Sequence, residues 1–406
     1  MLLLLTFFIA GSASATPEIQ HWTTKNGARV LFVSAPELPM LDVRIAFDAG
    51  SARDEDKPGL ASLTNHLLSF GAGGLNADLI AERFDSIGAQ FGSGSARDMA
   101  WVTLRTLSDP SLQMIAVNTF AKIISAPAFP EKDFERERKR MLTGLEQQKQ
   151  SPGNIASKAY YRALYGSHPY ASPSEGTEEG LKSITVSDLK KFYERYYVAE
   201  NATVAIVGNL DREAAEKLSG QLAGHLSAGE SAPKLPDVKA LDAGRRIHIP
   251  HPSTQTHVYI GQPGISRKDP DYFTLYVGNH ALGGSGLVSR LSEEIREKRG
   301  LSYSVYSYFS PMGQAGPFTM GMQTRNEKTD EGIKVLQDIL RTYIRDGMTS
   351  EELENSKKNI TGGFALRVDS NKKIIEYLAM IGFYELPLDY LDKFIPRINA
   401  VKLEDI

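Results

Sequence analysis

The sequence predicts an α+β fold of two homologous domains, each a mainly antiparallel sheet flanked by helices. Three observations predict it. The chain has 406 residues, too many for one ordinary core. The order of strand-like and helix-like stretches in the first half returns in the second, which argues for two copies of one unit. Between them, residues 222–245 are rich in Ala, Gly, Ser and Pro and lack periodicity, as a linker does. The expected division is therefore a first domain at 16–221, a linker at 222–245 and a second domain at 246–406.

Composition narrows the function. Hydrophobic residues make up 41% and charged residues 23%, as in a soluble globular protein. The 46 basic and 49 acidic residues leave a net charge of −3, which points to neither nucleic acid nor an anionic membrane as partner. There is no Cys, which excludes disulfides, thiolate nucleophiles and Cys-bound zinc. Residues 2–10 are an apolar run, followed by "GSASA" with Ala13 and Ala15 in a small-x-small pattern. This reads as a signal peptide over 1–15, removed after Ala15, although no Lys or Arg precedes the run. A periplasmic or secreted protein is expected. The run is too short to span a bilayer, and no other stretch is long and apolar enough to do so.

In the first copy, Asn26-Gly27 marks a turn between strand-like runs, and Arg29 to Val33 and Val43 to Phe47 read as strands. Pro58-Gly59 opens a helix from Leu60 to Phe70. Residues 75–91 read as an amphipathic helix with Leu79, Phe84 and Ile87 on one side. Residues 99–107 read as a strand, and 110–127 and 130–150 as helices, the second with a solvated, charged face. Asp188 to Tyr196 is a helix capped by Thr185 or Ser187, and 202–210 an apolar strand. In the second copy, residues 246–272 supply strands matching Arg29 to Phe47. Phe273 to Leu282 matches the helix at Leu60, Leu287 to Lys298 the helix at Leu75, and 317–324 the strand at 99–107. Two helices follow, at Thr329 to Asp346 and Ser350 to Ala365. Residues 398–406 line up with 181–189. The first copy continues past that point with a helix and a strand. The second is therefore expected to need about 30 more residues than the sequence carries.

Residues Leu282 to Phe309 carry the most distinctive pattern. Gly283, Gly284 and Gly286 form a glycine-rich turn. Leu287, Leu291 and Ile295 at i, i+4 and i+8 predict a helix. Glu293 precedes Arg296, Lys298 and Arg299, so cations sit in the last turn, where the helix dipole favours them. Gly300 fits the left-handed position that ends many helices. Leu301 to Phe309 then reads as a strand. Arg296 near the helix end and Tyr303 near the strand start can be aimed into one cleft. The plainer reading is an ordinary helix–turn–strand, with Arg296 solvated and Tyr303 half buried. The glycines are either a mobile substrate loop or a tight link between helices.

This stretch resembles the second-domain signature of the M16 (pitrilysin-like, insulinase-like) zinc peptidases, in which an Arg and a Tyr seven positions on help to hold substrate. Arg296 and Tyr303 stand at those positions. The resemblance covers nearly all of 18–406 and is most specific at 258–325. It implies the fold shared by LuxS and the mitochondrial processing peptidase.

The family also implies a zinc helix, H-x-x-E-H, and a distant Glu. Two His one turn apart with an acidic ligand hold the metal, and the Glu takes a proton from its water. Here Ser62 replaces the first His and Asn65 the Glu, and only His66 remains. The distant Glu is expected at Thr143 or Gly144, with Glu146 out of register by two or three residues. Asn65 cannot be a base, because its amide does not titrate. No metal is therefore expected in this chain, and His66 reads as a leftover polar group. His21, His168, His248, His251, His257 and His280 lack paired ligand spacing.

The resemblance then implies a division of labour. The chain looks like the non-catalytic, substrate-binding subunit of a bacterial M16B heterodimer, similar to the α subunit of the mitochondrial processing peptidase. It would supply Arg296 and Tyr303 to an active site whose zinc sits on a partner with an intact H-x-x-E-H motif. Peptide is the expected substrate. The alternatives are a structural core-type subunit with no peptidase role and a self-sufficient peptidase with altered ligands.

Overall fold

The computed structural model describes residues 17–406; the signal-peptide reading of 1–15 falls outside them. The first half begins with strands β1 (Gln20–Thr23), β2 (Arg29–Ser34) and β3 (Met40–Phe47). Helix α1 (Leu60–Leu67) and a small hairpin, β4 (Gly71–Ala72) and β5 (Leu75–Asn76), follow. Next come α2 (Ala77–Asp85), β6 (Gln90–Ser95) and β7 (Ala100–Leu107). Helices α3 (Pro110–Ser125), α4 (Glu131–Gln148), α5 (Pro152–Tyr165), α6 (Glu178–Ser183) and α7 (Val186–Tyr196) lead to strand β8 (Ala202–Gly208) and helix α8 (Arg212–Ala223). The sheet order is β1-β2-β8-β3-β7-β6, antiparallel except where β2 runs parallel to β8.

Both faces of this sheet are covered. Val30, Phe32, Val204 and Ile206 pack with the helices of the first half. Their alternate neighbours Leu31, Val33, Ala205 and Val207 pack into the core of the second half. Period-2 alternation puts the two sets on opposite faces. A strand buried on both sides reads as a continuous apolar run, which is why "ATVAIVG" shows no polar alternation.

The second half holds β9 (Gln255–Pro263), α9 (Tyr272–Asn279), β10 (Ser302–Phe309), β11 (Pro317–Arg325), α10 (Thr329–Asp346), α11 (Ser350–Gly362), α12 (Asn371–Phe383) and α13 (Tyr390–Ala400). Its sheet is antiparallel, ordered β10-β11-β9. The halves exchange helices. Helix α12 lies on β2, β3 and β8 of the first sheet. Gly382 allows the approach: a Cβ there would stand 2.5 Å from Thr203 and 2.6 Å from Leu31. Reciprocally, α5 covers β9, and the Tyr160 hydroxyl reaches the Phe318 carbonyl at 3.0 Å and the Thr319 hydroxyl at 2.9 Å. Residues 224–254 carry no helix or strand.

The α+β class with two sheet-and-helix halves is as expected, and three element readings are corrected. Residues 246–251 form no strand, and Ile247 and Ile249 are exposed. In the first half β2 lies between β1 and β8; among the described residues no counterpart of β8 stands beside β9. The helix expected over 75–91 is shorter. Asn76 caps it by accepting from the Leu79 amide, which puts Ile80 and Phe84 inside and leaves Leu79 exposed. Gly88, at φ +64°, then turns the chain into β6. That strand has Gly and Ser at four of six positions and is held by its pairing with β7. The single helix Leu287 to Lys298 is absent as well, broken into a short turn over Gly286–Val288 and a π-helix over Ser292–Glu297.

Candidate functional site

Helix α1 starts without a side-chain cap of its own, at Gly59 with φ +109°. The Asp54 carboxylate caps it from the preceding loop, accepting from the Gly59 amide at 2.8 Å and the Ala61 amide at 2.7 Å. Burial pushes Asp54 up to about 7 against those two bonds. The helix presents Ser62, Asn65 and His66 to a pocket of about 270 Å³, shared with Ser93, Ser95 and Arg140. Asn65 is itself buried, and its amide points to the Tyr197 hydroxyl at 3.1 Å and the Trp101 carbonyl at 3.3 Å.

His66 is met by Glu137, a residue the sequence did not single out. Glu137 is 4% exposed, and its Oε2 lies 2.9 Å from His66 Nε2. Thr143 instead donates to the Lys139 carbonyl of its own helix, and Glu146 pairs with Lys149. Phe134, Glu137, Met141 and Leu145 recur at i, i+3, i+7 and i+11, so they share one face. A lone carboxylate on that apolar stripe was the signal available in the sequence.

Glu137 is surrounded by cations. Arg140 Nε lies 2.8 Å from Oε2, and Arg136 Nε donates to Oε1 at 3.0 Å. Burial pushes the carboxyl up, but the bonds from His66 and Arg136 and the Arg140 charge together hold it below the usual range. Arg140 Nη2 also stands 2.7 Å from His66 Nε2. That nitrogen can donate to Glu137 or accept from Arg140, but not both at once.

These residues do not fit a catalytic zinc. Such a site takes three protein ligands, and Ser62 stands where the first His is needed. The two donors that remain are bonded to each other, and the Arg140 guanidinium bridges both. Among the described residues no group of three His, Cys, Asp or Glu converges to hold a metal.

The second region is built differently. Gly286, at φ +64°, and a short turn over Gly286–Val288 leave Leu287 64% and Val288 81% exposed. The chain restarts at Ser289, whose backbone is extended and whose hydroxyl accepts from the Ser292 amide at 3.3 Å. Ser292–Glu297 is then wound as a π-helix, with the Lys298 amide donating to the Glu293 carbonyl. Wide turns of this kind are frequent at functional sites. Leu291 and Ile295 are fully buried, while Leu287 has left the stripe expected of it. Gly300 closes the turn at φ +58°.

Tyr303 sits on a β-bulge. Ser302 pairs with Thr324 and Val305 with Met322, so the β10 side holds one extra residue. The Ser302 hydroxyl lies 2.6 Å from the Ser304 carbonyl and 2.7 Å from that of Gln323, which pins the irregularity. Bulges re-aim side chains, and Tyr303 is 85% exposed, not half buried. The Arg296 guanidinium lies 4.8 Å from the centre of its ring and touches Glu297 at 3.3 Å. The structure thus brings Arg296 and Tyr303 together. Among the described residues the Tyr303 hydroxyl makes no hydrogen bond.

The three glycines separate. Gly283 is buried, and a Cβ there would stand 2.5 Å from the Ser307 amide nitrogen and 2.7 Å from Leu291. One on Gly284 would stand 2.7 Å from the Asn279 amide. Both let the turn over His280–Gly284 pack onto β10, where Asn279 clamps Ser307 through two bonds. Only Gly286 adjoins the exposed Leu287 and Val288. His280 is occupied by Ser356 at 3.0 Å and Asn359 at 3.1 Å, and burial lowers its pKa.

Sequence reasoning missed Asp98. Its buried carboxylate accepts from the Tyr170 hydroxyl at 2.5 Å, the Tyr384 hydroxyl at 2.9 Å and the Gly313 amide at 2.7 Å. Tyr170 belongs to the first half, Tyr384 and Gly313 to the second. Burial, then the neighbouring Asp98 charge, pushes both phenols far up, so they remain donors.

The family description "Peptidase M16 inactive domain" matches residues 183–360, and "Insulinase (Peptidase family M16)" matches 29–178. A crystal structure of a peptidase M16 inactive domain from Pseudomonas fluorescens is 41% identical. It covers 95% of this chain and 92% of that one, with a TM-score of 0.92. A protease from Helicobacter pylori shares the fold at 20% identity, with a TM-score of 0.87 over 96% and 94% of the two chains. An uncharacterized zinc protease of Bacillus subtilis is 27% identical over 96% of this chain and 94% of its own length.

Proposed function

The chain belongs to the M16 peptidase family, and from that premise we propose that it is the non-catalytic, substrate-binding subunit of a heterodimeric zinc peptidase. The observation that carries the reading is the contrast at the two candidate sites. Ser62 and Asn65 stand where the family's zinc helix carries a His and a Glu, and His66 is engaged by Glu137 and Arg140. Tyr303 is open to solvent, with the half-buried Arg296 beside it. A subunit that grips but does not cut has this arrangement. The match of 183–360 to an inactive-type M16 domain supports it.

In this reading the partner carries H-x-x-E-H and the zinc, which supplies the activated water. Arg296 offers the donors of a fixed cation to a carbonyl or carboxylate of a peptide. Tyr303 donates its O–H to the carbonyl oxygen on which charge develops. The open Tyr303 hydroxyl is free for that bond. The apolar start of the sequence supports work in the periplasm or outside the cell.

The test is peptide cleavage by this chain alone and with an M16 subunit bearing the intact motif. Only the pair should cleave. Arg296→Ala or Tyr303→Phe should then lower its rate about 10²–10³-fold, the usual loss for one such donor. Hydrolysis by the isolated, zinc-saturated chain would sink the subunit reading. A fully active Arg296→Ala complex would sink the role of Arg296. A membrane complex recovered in place of an M16 partner would favour the scaffold.

A further inference from the structure

We infer that the cavity between the two halves is a binding site for an oxyanion, a carboxylate or a phosphate, received by Arg267. The site does not depend on the subunit reading.

The cavity measures about 590 Å³, within the range of small-molecule sites, and both halves line it. Each half sends one arginine to it from the loop after a sheet strand, Arg53 after β3 and Arg267 after β9. The two differ in their partners. Arg53 is answered within the chain: Nε and Nη2 donate to the two Asp48 oxygens at 2.8 and 2.6 Å, and Nη1 to the Pro233 carbonyl at 2.7 Å. Among the described residues the Arg267 side chain forms no ion pair and no hydrogen bond, and its Nε is buried. Its guanidinium lies 5.7 Å from the centre of the Tyr272 ring and 5.4 Å from that of Tyr384. Rings attract a guanidinium without accepting its in-plane N–H groups. A buried donor without an acceptor is costly, and this planar fork of donors matches two oxygens of one carboxylate or phosphate.

The neighbouring charges favour an anion as that acceptor. Lys268 and Arg29 share one carboxylate, Glu385, at 3.0 and 2.6 Å, which leaves one positive charge in surplus. Asp48 is spent on Arg53. Asp98 also lines the cavity, but its oxygens already accept from Tyr170, Tyr384 and Gly313. Glu200 forms no ion pair among the described residues, but it belongs to the first-half wall, where its stem packs on Gly27. The second-half wall, with Arg267 and Lys268 against Glu385, carries the surplus.

Titration calorimetry on the full chain tests this at matched ionic strength, with inorganic phosphate and with a short peptide as free acid and as C-terminal amide. Phosphate or the free acid should bind, and Arg267→Gln should weaken that binding at least about tenfold. Phosphate bound without the free acid supports the site and identifies a small phosphate as the source. Free acid bound with the amide rejected supports it and identifies a peptide terminus. Should Arg267→Gln fail to fold, Lys268→Gln decides. Its exposed side chain pairs with Glu385, and its loss should weaken binding at least about threefold. Binding of neither probe overturns the proposal, as does binding that the folded variants leave unchanged. Acid and amide bound equally, without phosphate, overturns it too.

Discussion

In the first half, the side chains of Asn65 and His66 on the motif helix are bonded within the chain. His66, Glu137 and Arg140 lie within 2.9 Å of each other in turn, and the Asn65 amide is directed to Tyr197 and Trp101. In the second half, Tyr303 is lifted onto a bulge and Arg296 onto a π-turn, with a ring contact and one weak ion pair between them and solvent. The difference separates structure from function. A group whose hydrogen bonds are all made inside the chain acts on the fold. One held rigidly with its bonds unmade is available to something else. The backbone beneath Arg296 and Tyr303 is not loose: Ser302, Gly283 and Asn279 pin it.

Substitutions can break this comparison at several depths. The largest effect on the fold is expected at the tie between the halves. Asp98→Ala leaves two phenols and one amide without an acceptor in a buried place. Equilibrium unfolding in denaturant should show a loss of roughly 3–9 kcal/mol, at about 1–3 kcal/mol per orphaned donor. A loss under 1 kcal/mol would mean that water fills in for Asp98.

A smaller effect belongs to the closed site. Glu137 is held below the unfolded range of about 4.3, so the unfolded chain binds more protons as acid is added. Its contribution is fully present above that value and is lost as pH falls through the folded one. Wild type should lose stability on acidification more steeply than Glu137→Gln below about pH 4.3. Parallel profiles would show that the cluster is solvated and inert.

The smallest effect sharpens the contrast. Tyr303→Phe in the isolated chain should change stability by less than about 0.5 kcal/mol, because the hydroxyl has no partner to lose. A larger loss would mark Tyr303 as structural.

Much of the fold was legible. Capping at Thr185, the apolar strand at β8 and the charged helix α4 all rest on local pattern. The helices the halves exchange were not. Residues 152–165 and 371–383 drew no reading in the sequence, since nothing local says that a helix crosses to the other sheet. The helix expected at 287–298 shows the limit of periodicity. Leu287, Leu291 and Ile295 fit i, i+4, i+8, yet a positive-φ glycine just before Leu287 and the Ser289 cap after it restarted the chain.

Sequence by itself determined the repeat, the family resemblance, the presence of Ser62 and Asn65 where the family's zinc helix carries a His and a Glu, and the candidacy of Arg296 and Tyr303. Each depends only on which residue stands where. Tertiary structure alone decided that Glu137 faces His66, that Arg140 bridges the two, and that Asp98 joins the halves. Those facts depend on which helix faces meet across 71 to 286 positions of chain. Contact at that separation is set by packing the whole core, and no short pattern encodes it.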